Sequence, residues 1–499
     1  MISGNPVFSD RRAGILLHLT SLPGTPGNGD LGEQAYCFVD FMAAAGLTVW
    51  QILPHGPTHE NLSPYQCLSA HAGNPLWISL TSLAQSAWLK DSEINAISND
   101  KGATLMRLDC LMQARKCFEA KAGNEDQKKY NEFVSANAYW LDDFALYNAL
   151  RQEHDNKAWL HWPIAERDRE PGAISAASDR LQDSIAQTRF EQFIFFQQWD
   201  ALKCYANDKG IFIFGDLPVY VAHDSADVWI DRNQFDLDDN GQPRTVAGVP
   251  PDSFSETGQL WGNPQYNWKQ MIADDFHWWR QRLRSNLHLY DLIRIDHFRG
   301  FESYWAIPGD ADTAEAGRWQ KVPGIELFKS LKQEFGMLPL VAEDLGMITK
   351  QVEQFRQSVG LPGMKVLQFA FDGGADNPHL PHNHEPLSVV YTGTHDNDTT
   401  LGWFDSLPDK KKKYIADYLA GNRGPMPEVL IQTAMASVSR MAIIPMQDFL
   451  ELGSEHRMNI PATAAGNWQW RFHWDRVDSS LPEKIRVWVE RYGRLITES

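Results

Sequence analysis

Asp291-Leu-Ile-Arg294-Ile-Asp296-His-Phe-Arg299 begins as a short apolar strand and ends on a carboxylate with polar neighbours. Two later stretches repeat the pattern, Leu340-Val-Ala-Glu343-Asp344-Leu-Gly346 and Val389-Val-Tyr-Thr-Gly-Thr-His395-Asp396-Asn397. A buried strand gains nothing by finishing in an acid, because an unpaired carboxylate withdrawn from water costs several kcal/mol. Acids at the carboxyl ends of successive parallel strands are how a (β/α)8 barrel assembles a catalytic centre. The expected fold is therefore α/β, a (β/α)8 TIM barrel, with Asp296, Glu343 and Asp396 as candidate catalytic residues. Three such acids point to acid–base and nucleophilic chemistry on a neutral, polyhydroxylated substrate.

Outward from these stretches, short apolar or β-branched runs alternate with helical ones, the pattern of a parallel sheet with helical crossovers. Eight strands are predicted, at 13–20, 47–54, 210–216, 290–296, 338–343, 364–371, 388–393 and 440–446. The 47 residues from Asp296 to Glu343 hold one βα unit with an insertion, and the 53 from Glu343 to Asp396 hold two units through 364–371. About 150 residues separate the second and third strands, far beyond the length of a loop. Within them, residues 84–205 carry amphipathic stretches at Asn131 to Glu153 and Ser184 to Asn207, which predict a mainly helical inserted subdomain. Residues 222–285, rich in Asp, Gly, Pro and aromatics, predict a second, lid-like insertion after strand three that forms an active-site loop region. The expected organisation is one catalytic barrel over 1–499 carrying these two insertions.

Bulk composition narrows the function classes. Apolar content of 43% and charged content of 22% are those of an ordinary globular protein. A net charge of −18 argues against nucleic acid as a partner. The five cysteines, Cys37, Cys67, Cys110, Cys117 and Cys204, are odd in number and lack C-x-x-C spacing. They read as reduced thiols of a cytoplasmic protein, without a disulfide frame or a zinc site. Met1 to Arg12 carries no apolar h-region, so no secretory leader is expected, and no run approaches the roughly 20 residues of a membrane span. Of the 19 Trp, 25 Phe and 14 Tyr, most are expected in the core, but several stand in loop-like company. Gln259-Leu-Trp261-Gly-Asn-Pro264 and Gly466-Asn467-Trp468-Gln-Trp470 are such places, where flat rings suit the apolar faces of sugars.

Competing motifs fail on their own chemistry. Gly27-Asn-Gly29-Asp-Leu-Gly32 has the dinucleotide spacing, yet the next strand ends Gln51-Ile-Leu-Pro-His55 without the acid a ribose requires. His379, His382 and His384 crowd one loop, but no Cys or His pair nearby completes a four-ligand zinc set. No metal or cofactor is predicted. Glycosyl chemistry instead needs one ionised carboxylate and one protonated acid held at different pKa. Arg294 shares a strand face with Asp296 by alternation and would keep it ionised, whereas Glu343, at an apolar strand end, is the group to be raised.

At these residues a resemblance becomes specific. Arg294-Ile-Asp296-His-Phe-Arg-Gly300, Ala342-Glu-Asp-Leu-Gly346 and Gly393-Thr-His-Asp-Asn-Asp-Thr399 resemble signatures of the amylomaltases, the 4-α-glucanotransferases (disproportionating enzymes) of glycoside hydrolase family 77. Further matches are His18-Leu-Thr-Ser-Leu-Pro23, Trp50-Gln-Ile-Leu-Pro54, Ser63-Pro-Tyr-Gln66, Gly215-Asp-Leu-Pro218, Gly248-Val-Pro-Pro-Asp252, Arg457-Met-Asn459-Ile-Pro461 and Asn467-Trp-Gln-Trp-Arg471. The resemblance implies that Asp296 is the nucleophile, Glu343 the general acid/base and Asp396 the binder of sugar hydroxyls. It implies substrate-binding roles for Arg294, His395 and Asp216, for Asp252, Glu256 and Trp261 on an active-site loop, and for Tyr65 and Asn467. Implied partners are maltooligosaccharides and α-1,4-glucans. One departure is His59-Glu-Asn-Leu62, where many relatives place an aromatic that serves a surface glucan site, so none is expected there. An α-amylase-type hydrolase with the same carboxylates and a catalytically silent glucan-binding barrel remain open alternatives.

Overall fold

A computed structural model describes residues 6–496, apart from 25, 98–101, 252–254, 420–423 and 464. Eight parallel strands form its centre: β1 (Arg12–Leu16), β2 (Val49–Gln51), β3 (Phe212–Pro218), β4 (Leu292–Asp296), β5 (Leu340–Ala342), β6 (Gly363–Val366), β7 (Ser388–Tyr391) and β8 (Met441–Pro445). They pair in the order β6-β7-β8-β1-β2-β3-β4-β5. Between β5 and β6 the ring is completed by the Ala342 N–H, which donates to the Pro362 carbonyl at 2.9 Å. All eight predicted strands are present, most of them shorter than expected. The run 13–20 stops pairing at Leu16, and 364–371 passes at Leu367 into a 3-10 turn. The apolar runs overshoot because the rim is buried too: Leu17, Leu19 and Leu367 are as inaccessible as the strands themselves.

Alternation explains why these strands lack a polar face. Leu16, Val49, Phe214, Leu292, Val341, Met364, Val389 and Met441 fill the barrel interior. Their neighbours Ile15, Trp50, Ile213, Ile293, Ala342, Val390 and Ala442 pack outward into the larger core beneath the helices. Strands buried on both sides read as continuous apolar runs. The same alternation, continued to the carboxyl ends, directs Asp216, Arg294, Asp296 and Glu343 to the inside.

Between β2 and β3 the chain is helical, dominated by Ala103–Lys121, Asn124–Glu153 and Gln182–Asp208, which contain both amphipathic stretches read from sequence. Among the described residues no helix is long and apolar enough to cross a membrane. The region after β3 is more ordered than a loop-rich insertion. Strands Thr245–Val249 and Gln259–Pro264 form an antiparallel sheet with Ser303–Pro308 and Arg318–Lys321, so the insertion is knitted to the segment that follows β4. These strands carry no clean alternation because they are short, partly exposed and interrupted by Gly and Pro. The Gly27–Gly32 stretch is a tight turn into the helix Glu33–Ala44; a Cβ on Gly29 would lie 2.2 Å from the Leu19 carbonyl oxygen.

Candidate active site

Arg294 organises the floor of the site. In register, β4 aligns with β3 so that Arg294 lies beside Asp216 and Asp296 beside Pro218. The guanidinium bridges two acids, Nη1 to Asp216 Oδ2 at 2.7 Å and Nη2 to Asp296 Oδ1 at 3.0 Å. Tyr65, on the loop after β2, donates its hydroxyl to the same Asp216 oxygen at 2.8 Å and lies 2.9 Å from His395 Nε2. The Tyr65 and His395 rings stack at 5.3 Å, and Trp468 leans on both. His395 Nε2 is 3.3 Å from Asp396 Oδ2, and Asn459 donates to Asp396 Oδ1 at 2.7 Å. One continuous chain of contacts thus joins Asp296, Arg294, Asp216, Tyr65, His395 and Asp396.

Glu343 is seated differently. It follows β5 directly, one strand from Asp296, and among the described residues accepts from backbone alone: His297 N–H at 2.7 Å and Leu345 N–H at 2.9 Å. His297 itself adopts a left-handed conformation, φ 54°, which turns the chain sharply after β4. The third acid departs from the sequence pattern. Asp396 lies in a loop beyond the end of β7 at Tyr391, and the Arg457 guanidinium, donating to its carbonyl at 2.9 Å, fixes that loop.

These surroundings separate the acids electrostatically. Burial pushes Glu343 up to about 7, with the Asp296 charge adding to the effect while Arg294 and the two backbone donors oppose it. Asp216 is likewise raised to about 6, by burial first and by Asp296, against the pull of Arg294. For Asp396 burial works upward, but His395 and the Asn459 bond prevail and hold its carboxyl well below the usual range. Burial lowers His297 to about 4, so a neutral imidazole faces the cleft at neutral pH.

The other predicted residues are less tightly gathered. Trp261 lies on the antiparallel strand Gln259–Pro264, half-buried, with its ring edge-on to His297 at 4.8 Å. Glu256 is exposed on the connection between the strands Thr245–Val249 and Gln259–Pro264. Asp252 lies outside the described residues. Asn467 braces its own loop, accepting from Ile460 N–H at 2.9 Å and donating to the Thr463 carbonyl at 3.0 Å. Residue-by-residue reasoning missed His297, Asn459, Arg457 and Trp468 as parts of the site. Each stands in a stretch already singled out, and the adjacency of His297 to Asp296 was the most direct signal.

The three loop histidines are each hydrogen-bonded: His379 Nδ1 accepts from Val366 N–H, His382 meets Tyr418 and His384 meets Ser437. Glu153, His154 and Glu166 cluster closely enough to hold an ion, but Arg180 pairs with both glutamates at 2.7 and 3.0 Å and already supplies the positive charge.

A parallel eight-strand barrel with a cation-bridged cluster of acids on its carboxyl rim defines the class, a barrel enzyme with acid–base chemistry. A family model described as 4-alpha-glucanotransferase matches residues 17–477. The chain is 47% identical to a 4-alpha-glucanotransferase of Synechocystis over 98% of its own length and 99% of the relative's. It is 45% identical to that of Thermus thermophilus, covering 97% and 99%. It also superposes on the amylomaltase from Streptococcus agalactiae in complex with acarbose, with a TM-score of 0.94, 38% identity and coverage of 97% and 99%. The chain belongs to the 4-alpha-glucanotransferase family, a family of glycosyl-transferring enzymes.

Proposed function

We propose that the enzyme transfers a segment of an α-1,4-glucan to the 4-hydroxyl of an acceptor glucan or glucose, with retention, through a covalent glucosyl-enzyme. The observation that carries this reading is the different setting of acids on adjacent strands: Asp296 is ion-paired to Arg294 at 3.0 Å, while burial pushes Glu343 up to about 7. In the first step Glu343 gives its proton to the glycosidic oxygen as Asp296 attacks the anomeric carbon; the C–O bond breaks and the shortened glucan leaves. In the second, the carboxylate of Glu343 takes the proton of the acceptor hydroxyl, whose oxygen attacks the same carbon and releases Asp296. Asp396, held by His395 and Asn459, binds sugar hydroxyls as the ring flattens. Trp261 and the lid sheet exclude water, so that sugar outcompetes it at the intermediate.

Maltooligosaccharides and starch- or glycogen-type chains are the substrates this reading implies. The free cysteines fit a reducing cytoplasm, although plant relatives are chloroplastic. The helices at 84–205 and the sheet-bearing region 222–285 are read as a subdomain and a lid on one catalytic barrel. Incubation with maltotriose tests transfer: a ladder of longer and shorter oligosaccharides is expected, and release of glucose and maltose alone would establish hydrolysis instead.

A further inference from the structure

Outside the acid cluster, the same rim carries a second feature suited to a sugar. An open groove of about 230 Å³ lies between the loops that follow β4 and β5, lined by Arg299, Glu302, Gln320, Lys321, Thr349 and Gln351. Its wall is Trp319, a residue 39% exposed although it sits in a paired strand. The ring is held rigidly. The Arg299 guanidinium stacks over it at 3.8 Å, and Trp305 meets it edge-on at 5.2 Å. Trp305 is itself fixed by its Nε1 donating to the Ala314 carbonyl at 2.8 Å. Arg299 takes one face of this ring, and the part still open, on an aromatic already held in place, is the surface left for a ligand to stack on.

The polar company selects the class of ligand. Lys321 is paired with Glu302, and the Arg299 guanidinium, stacked on Trp319, donates to the Met347 carbonyl. What remains is a flat ring beside the amide groups of Gln320 and Gln351 and the hydroxyl of Thr349, a set that suits a neutral polyol. The groove is also well placed. Arg299 belongs to the turn Phe298–Phe301, separated from Asp296 by His297 alone, and Thr349 caps the helix Lys350–Val359 that follows Glu343.

We infer that the groove at Trp319 is an auxiliary subsite for an α-glucan chain, holding part of a long polymer beside the catalytic cleft; this rests on the α-glucan reading above. The test is affinity electrophoresis through gels containing soluble amylose, with Asp296→Asn as the parent so that the polymer is not consumed. Trp319→Ala in that parent should weaken retardation on the order of fivefold, the factor that about 1 kcal/mol of ring stacking represents. Trp319→Phe should fall between the two, and Gln351→Ala, at an exposed position, should weaken retardation even if Trp319→Ala does not fold. Equal retardation of the parent and these variants overturns the subsite. Wild-type enzyme on maltotriose separates the two claims: a product ladder with unchanged retardation removes the subsite alone, whereas no ladder and no retardation of the parent removes the α-glucan reading with it.

Discussion

Replacing Arg294 with methionine asks whether one cation permits the site to keep its acids. Its guanidinium lies 2.7 Å from Asp216 and 3.0 Å from Asp296, and 4% of the residue is exposed. Removing one member of a buried ion pair costs about 3–5 kcal/mol, and the loss of a cation shared by two carboxylates belongs at the upper end of that range. The cost must also depend on pH. A carboxyl whose folded pKa is raised favours the folded state at low pH and penalises it as pH climbs from the unfolded value through the folded one. Asp216 is in this position already, at about 6, with the arginine present. Without it Asp216 rises further and stays protonated at neutrality. Between about pH 7 and about pH 5 the wild type gains that proton midway while the variant holds it throughout. The difference is one proton over about one pH unit, or about 1.4 kcal/mol. Urea unfolding at both pH values should therefore show a deficit for Arg294→Met that is smaller by that amount at the lower pH. A deficit equal at both, or below about 1 kcal/mol at neutrality, would refute the argument.

Two further outcomes follow from the same geometry. On the proposed mechanism Glu343 gives a proton to cleave the donor, so kcat/KM on maltotriose should fall about tenfold per pH unit above its value of about 7, and Glu343→Gln should lose at least about 100-fold at all pH; a rate that stays flat into the alkaline range removes the acid role. Asn459→Ala deletes a 2.7 Å bond to the charged Asp396 and should lower kcat/KM by about 10- to 100-fold, the equivalent of about 1.5–3 kcal/mol. A loss under about twofold would mean that Asn459 does not position that acid.

How legible the molecule was in its sequence follows from what each segment must satisfy. Strands such as Ile293 and Val390, enclosed on both faces, have to be apolar throughout, and an acid closing such a run has no structural excuse; barrel and rim were both readable for that reason. Glu343 and Asp296 fit this logic strictly, one directly after β5 and the other ending β4. Asp396 fits it loosely, since its loop is set by Arg457 and Asn459 from far along the chain, and sequence proximity carries no trace of that. The antiparallel sheet was unreadable because Trp305, in the mostly buried strand Ser303–Pro308, pairs with Trp319 in a four-residue strand that is largely exposed, and neither strand alternates. His297 shows the remaining limit: it sits on a left-handed backbone, which a histidine does not announce as glycine would.

The central claim is that Asp296 carries the glucan between the two half-reactions. Glu343→Gln incubated with α-maltotriosyl fluoride separates them, since fluoride departs without a proton while the acceptor still needs the missing base. Mass spectrometry of the quenched, digested protein should then find the maltotriosyl mass on the peptide containing Asp296, with the label lost when Asp296 is changed to Asn. A label on a different acid, or none under conditions where fluoride is released, would contradict the account.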